Sequence, residues 1–130
     1  MPGLQILVVS LGAVLGSCLR WWLSLTFNAV LPNMPLGTLA ANMIGGYFVG
    51  VAVGIFSQYP GLAPEWRLFA ITGFLGGLTT FSSFSAEVVG LILRQQYGWA
   101  LGTASVHVLG SLLLTLLGIY TVTWLRVGLA

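Results

Sequence analysis

Four apolar runs, each about twenty residues or longer, fix what this chain can fold into. They cover residues 4–25, 36–56, 67–93 and 99–125, and a helix needs roughly 20 such residues to cross a bilayer. The stretches between them are too short to hold a further domain. Only four arginines and two glutamates carry charge, 5% of the chain, where a soluble domain has about a quarter. A surface so poor in charge cannot be solvated by water. The predicted fold is therefore all-α and integral to a membrane: a single four-helix transmembrane domain over residues 1–130, with membrane lipid around it. In lipid, helices satisfy their own backbone groups, which open strands cannot do.

The same charges narrow the partners. Arg20, Arg67, Arg94 and Arg126 are scattered singly, so no basic patch exists and no nucleic acid is expected. Cys18 is the sole cysteine; it cannot form an intrachain disulfide and reads as a buried free thiol. The start, MPGLQILVVS, lacks the basic stretch of a signal peptide and is expected to stay in the mature protein. Four crossings put Arg67 and Arg126 on one side and Arg20 and Arg94 on the other. Two against two gives the positive-inside rule nothing to choose between. A chain without a preferred orientation inserts both ways, and four helices are few for enclosing a pathway. An antiparallel homodimer follows as the expected assembly. Glycines repeat at spacing four, as Gly12 and Gly16 and as Gly46, Gly50 and Gly54. Such smooth stripes let helix backbones approach closely in lipid. They suit packing within one chain and a seam between two chains alike.

Polar residues inside a membrane tend to face the bundle interior or a pathway, and here they align. Thr103, His107, Ser111 and Thr115 recur every four residues on the fourth helix; Thr80, Ser83 and Glu87 follow one another on the third; Thr38 and Asn42 do so on the second. A lone serine or threonine often only bonds back to its own helix, but three aligned tracks point to a polar route. Its members are mostly hydroxyls and an amide, which donate hydrogen bonds and so suit an anion. Cation paths use carboxylate rings or carbonyl filters instead. Phe81 and Phe84, three apart, fit plain packing; they also fit a pair of electropositive ring edges beside an anion.

The third run holds the densest cluster of awkward residues, GFLGGLTTFSSFSAE at 73–87. Adjacent glycines cost about 1 kcal/mol each against alanine in a helix, and threonines do not strengthen it. A helix broken mid-membrane is expected there, with its freed backbone lining a cavity or buried in protein. The positive end of the second half would point inward, and the carbonyls ending the first half could hold a cation.

This run resembles the GFxGGxTTFSTF signature of the fluoride channel family (Fluc, also called CrcB). GTLAANMIGG at 37–46 is similar to the family's GT-x-x-x-N-x-x-G motif, and GAVLGSCLRW at 12–21 to its GA-x-x-G-x-x-x-R motif. All three stand in the family's order, and the third-helix run is the most specific. The resemblance implies an antiparallel, dual-topology homodimer with two fluoride pores, each built from both subunits. Phe81 and Phe84 match the paired phenylalanines that line each pore, Asn42 the pore asparagine, with Thr38 one turn before it. Gly76 and Thr79 match positions whose backbone carbonyls hold a structural sodium ion (Na+) at the dimer interface. Arg20 matches the first-helix arginine near the aqueous vestibule. Ser111 and Thr115 align with a hydroxyl track, and His107 lies where some relatives have tyrosine. Ser83 replaces the usual threonine of TTFSTF, keeping the hydroxyl and losing a methyl.

The implied activity is passive export of fluoride across a bacterial inner (plasma) membrane. Ser83, Ser111, Thr115 and the Asn42 amide would replace the ion's water shell, while Glu87 tunes entry, accepts from neighbouring hydroxyls or is a solvated interfacial carboxylate. The main rival, a proton-coupled drug exporter of four helices, needs a membrane-embedded carboxylate, characteristically in the first helix, where this chain has none. A noncatalytic assembly factor would leave the polar tracks without purpose. An enzyme is not expected, since His107 has no triad or metal-ligand partner in the sequence.

Overall fold

The computed structural model describes residues 1–129, with side chains through Arg126. Its elements in order are α1 (Pro2–Phe27), α2 (Leu36–Gln58), α3 (Pro64–Arg67), a π-helix (Leu68–Leu75), α4 (Gly76–Leu78), α5 (Ser82–Leu93) and α6 (Tyr97–Leu129). Among the described residues there is no strand. Four stretches are long and apolar enough to cross a membrane: Pro2–Phe27, Leu36–Gln58, Pro64–Leu93 and Tyr97–Arg126. These are the four expected runs, each extended by a few residues at one or both ends. The protein is a multi-pass membrane protein.

Local chemistry sets the boundaries. Pro2 and Pro64 stand in the first turns of α1 and α3, where a missing N–H costs nothing. Asn28 Oδ1 accepts from the Thr38 N–H at 3.1 Å, covering an orphan donor at the start of α2. Thr79 leaves helical geometry at φ −80° and ψ 154°. The Thr80 Oγ1 then accepts from the Ser83 N–H at 3.1 Å, starting α5 as N-cap hydroxyls do. The turn from α5 to α6 is closed by Gln95 at φ 60° and by the Gln96 N–H donating to the Leu91 carbonyl at 2.8 Å.

The glycine stripes resolve into seams within the chain. Gly12 and Gly16 of α1 lie against the backbone of Phe69, Gly73 and Phe74, while Gly77 lies against Ala13. Gly46, Gly50 and Gly54 of α2 face Ser111, Thr115, Gly118 and Val122 of α6. At each seam a side chain of any size would meet backbone or a packed Val, so close approach is what these glycines supply. The central core is small, with Leu23, Ala41, Ala52, Leu75 and Leu78. Large apolar side chains such as Trp21, Leu113 and Trp124 point outward, the reverse of a water-soluble domain. Cys18, expected to be buried, is exposed on the single chain, because its helix turns Gly12 and Gly16 inward instead.

Candidate functional site

The polar residues of α2, α5 and α6 meet around residues 79–81, which are outside any helix and where the Thr80 N–H and carbonyl need partners. Asn42 supplies them. Its Oδ1 accepts from the Thr80 N–H at 2.8 Å, and its Nδ2 donates to the Thr80 carbonyl at 3.0 Å. The same Nδ2 donates to His107 Nδ1 at 3.0 Å. One side chain thus ties α2, the 79–81 segment and α6 together. One turn earlier on α2, buried Thr38 donates to Glu87 Oε2 at 2.6 Å. Two residues 49 apart in sequence thereby join α2 to α5, and among the described residues the carboxylate has a partner on one oxygen only.

The aromatic residues form a second layer. Phe81 and Phe84 pack edge to face, centroids 5.5 Å apart at 67°. Phe84 stacks in turn on His107 at 4.6 Å and 30°. Phe84 is buried, whereas Phe81 is 76% exposed on the single chain. Beside them lies a cavity of about 340 Å³, lined by Asn42, Thr80, Phe81, Phe84, His107 and Ser111 among others. A second cavity of about 230 Å³ holds Glu87 and Arg94.

Several expected site residues are placed differently from their spacing. Thr80 lies outside any helix, between extended Thr79 and the start of α5, so Thr80, Ser83 and Glu87 are not one helical track. Ser83 lines neither of the two cavities. Ser111 and Thr115 do face the first cavity, but their hydroxyl protons are turned to backbone: Ser111 to the Val108 carbonyl at 3.2 Å, Thr115 to those of Ser111 and Gly46 at 2.8 and 2.9 Å. Ser111 thus bonds back within α6, while Thr115 also ties α6 to α2 through Gly46. Arg20 Nε donates to the Gly77 carbonyl at 3.0 Å, so the guanidinium caps the end of α4.

Gly76 begins that short helix and Thr79 follows its last residue. Among the described residues neither carbonyl receives a hydrogen bond. Gly76 is exposed on the chain's surface. Unclaimed carbonyl oxygens are the donor type a hard cation such as sodium takes. Among the described residues no cluster of His, Cys, Asp and Glu could hold a metal, so backbone oxygen is the donor type this region offers.

Residues 7–119 match the family described as CrcB-like protein, Camphor Resistance (CrcB). Curated relatives agree. A protein of Pseudomonas paraeruginosa named Fluoride-specific ion channel FluC is 58% identical over 121 residues, 93% of this chain and 95% of the relative. Proteins of the same name from Pseudomonas aeruginosa and Nitrosomonas europaea are 57% and 56% identical over equal shares. Motifs, helices and sequence likeness thus converge, and the chain belongs to the CrcB family.

Proposed function

We propose that this chain forms a fluoride-selective channel, a conduit and not an enzyme, that lets fluoride leave a bacterial cell passively across the inner membrane. The working unit is an antiparallel, dual-topology homodimer with two pores, each drawing residues from both subunits. The observation that carries this reading is the juxtaposition of Phe81 and Phe84, set edge to face, with the Asn42, Thr80 and His107 network on one cavity wall. Fluoride is small and strongly hydrated, so a pore must offer donors and electropositive ring edges in place of water. The relatives' name supplies the ion.

The third span is read as broken in mid-membrane, between α4 and α5. Phe81 is exposed on one chain, which suits a ring completed by the second subunit. So do the free Gly76 and Thr79 carbonyls. Two carbonyls are too few to coordinate a cation, and the same pair from a partner would complete the set for sodium. A bound sodium would supply fixed positive charge between the paired spans. Arg20, holding the Gly77 carbonyl, keeps that turn in place for it.

Liposomes carrying the protein test the reading. Fluoride should escape rapidly without a proton gradient, and chloride should be retained. Phe84→Ile should slow fluoride by roughly tenfold or more, which needs a loss of only about 1.4 kcal/mol at the barrier. Proton-dependent transport with no fluoride leak would overturn the channel. Dual topology has its own check: copies tagged at either terminus should be found on both membrane faces, and a single orientation would refute it.

A further inference from the structure

The Asn42 amide is fully committed. The Thr80 N–H, 2.8 Å from Oδ1, fixes which end of the amide is oxygen. Nδ2 carries two protons and no acceptor capacity. Those protons meet the Thr80 carbonyl and His107 Nδ1, each at 3.0 Å. His107 Nδ1 must therefore be the acceptor, and in the neutral ring the proton sits on Nε2. That Nε2 is buried with no hydrogen-bond partner among the described residues, in a side chain only 3% exposed. A buried N–H left unpaired is costly, so something small is expected to accept from it.

Thr103 gives an independent sign. It is 0% exposed and its Oγ1 also lacks a partner. Ser111, Thr115, Thr121 and Thr123 on the same helix all donate to backbone carbonyls; Thr103 does not. It lies one turn before His107, so the two side chains share a helix face. Phe84, near-parallel to the imidazole, covers the ring face and sets its C–H rim alongside the N–H rim. Both rims are electropositive. Glu87 Oε1, the unpaired oxygen of the neighbouring pair, bonds neither donor.

We infer that His107 Nε2–H and the Thr103 hydroxyl form a buried two-donor station for dehydrated fluoride. Asn42 acts on the ion through His107, as a positioning residue that fixes the tautomer, and not by donating to the ion itself. The inference rests on the channel reading above.

His107 is the chain's only histidine, so one ¹⁵N-histidine label in the full chain, without a histidine tag and in lipid nanodiscs, reads it without ambiguity. The expected spectrum at neutral pH has a protonated Nε2 and an unprotonated Nδ1. Fluoride should shift the Nε2 signal in a saturable way, and chloride should not. In liposomes, His107→Phe keeps the ring stack but removes both nitrogens and should cut fluoride flux about tenfold, the scale of one hydrogen bond to a charged group. His107→Gln, whose amide can accept from Asn42 and donate onward, should recover most of it. Thr103→Val should reduce flux by a smaller factor. An Nδ1–H tautomer, an Nε2 signal blind to fluoride, or His107→Phe flux equal to wild type would overturn the inference. Should His107→Phe fail to assemble, the wild-type spectrum decides alone. A fluoride-blind histidine in a conducting wild type sinks this inference only; wild-type liposomes with no fluoride flux sink the channel reading as well.

Discussion

Asn42→Leu is expected to abolish fluoride flux and to lower the thermal midpoint of a protein that still inserts in the membrane. Leucine keeps the branching and the number of side-chain heavy atoms, is somewhat bulkier, and removes every polar group. What is lost is the three-way tie: the Thr80 N–H, the Thr80 carbonyl and His107 Nδ1 each lose their partner. Hydrogen bonds within membranes average about 0.6 kcal/mol each, so three sum to roughly 2 kcal/mol. Stranding the buried groups costs about 1–3 kcal/mol apiece, so the larger figure governs if nothing relaxes. Helical bonds reach only the ends of the 79–81 segment, at the Thr79 N–H and the Phe81 carbonyl, so Thr80 has none to fall back on and is the part that would move. Phe81 and the Thr79 carbonyl move with it. A loss of about 3 kcal/mol in barrier stabilisation slows flux more than a hundredfold. Asn42→Asp sharpens the test: it keeps an acceptor for the Thr80 N–H but turns a second oxygen on the Thr80 carbonyl. It should fail as badly as leucine. Flux assays in liposomes and tryptophan-fluorescence melting measure both effects, and wild-type flux in Asn42→Leu would show that the tie is dispensable.

The four spans were legible because hydropathy and length are properties of consecutive residues. The Gly76-Gly77 and Thr79-Thr80 pairs were legible as weak helix formers for the same reason. The π-helix over Leu68–Leu75 was not, since LFAITGFL contains no residue that demands a wider turn. Nor was the direction of the hydroxyls. The spacing of Thr103, His107, Ser111 and Thr115 placed them correctly on one face, yet two of the hydroxyls bond back to carbonyls and one does not. That depends on what stands within reach after packing. Bonds such as Thr38 to Glu87, Arg20 to Gly77 and Asn42 to Thr80 join residues far apart in sequence. Their existence depends on helix register, which no single span encodes. The glycine stripes were ambiguous in sequence for a related reason: smoothness permits a close partner without naming it. The backbone positions of α6 and of the third span name it.

Gly50→Leu is expected to prevent assembly altogether, and Gly118→Ala to weaken it severely. A Cβ on Gly50 would run into the Thr115 carbonyl, with the Gly118 Cα only 3.1 Å away. A Cβ on Gly118 would meet the Tyr47 carbonyl, the Val51 nitrogen at 2.8 Å and the Gly50 Cα at 3.0 Å. Both sets of obstacles are backbone, so no side chain can swing aside. The two helices would have to separate along their shared seam. That separation would also pull apart Thr115 Oγ1 from the Gly46 carbonyl and the Tyr47 hydroxyl from Thr121 Oγ1, now 2.9 and 3.1 Å apart. Helix association in lipid rests on close packing and such bonds, with no hydrophobic drive to compensate. Gly98 on the same helix is the control, since a Cβ there meets nothing within 4 Å. Gly98→Ala should be neutral or stabilise by up to about 1 kcal/mol, the helix-propensity difference. Monodispersity on size exclusion and melting in detergent separate the three variants. A Gly118→Ala protein as stable as Gly98→Ala would mean that α2 and α6 do not need their backbones in contact.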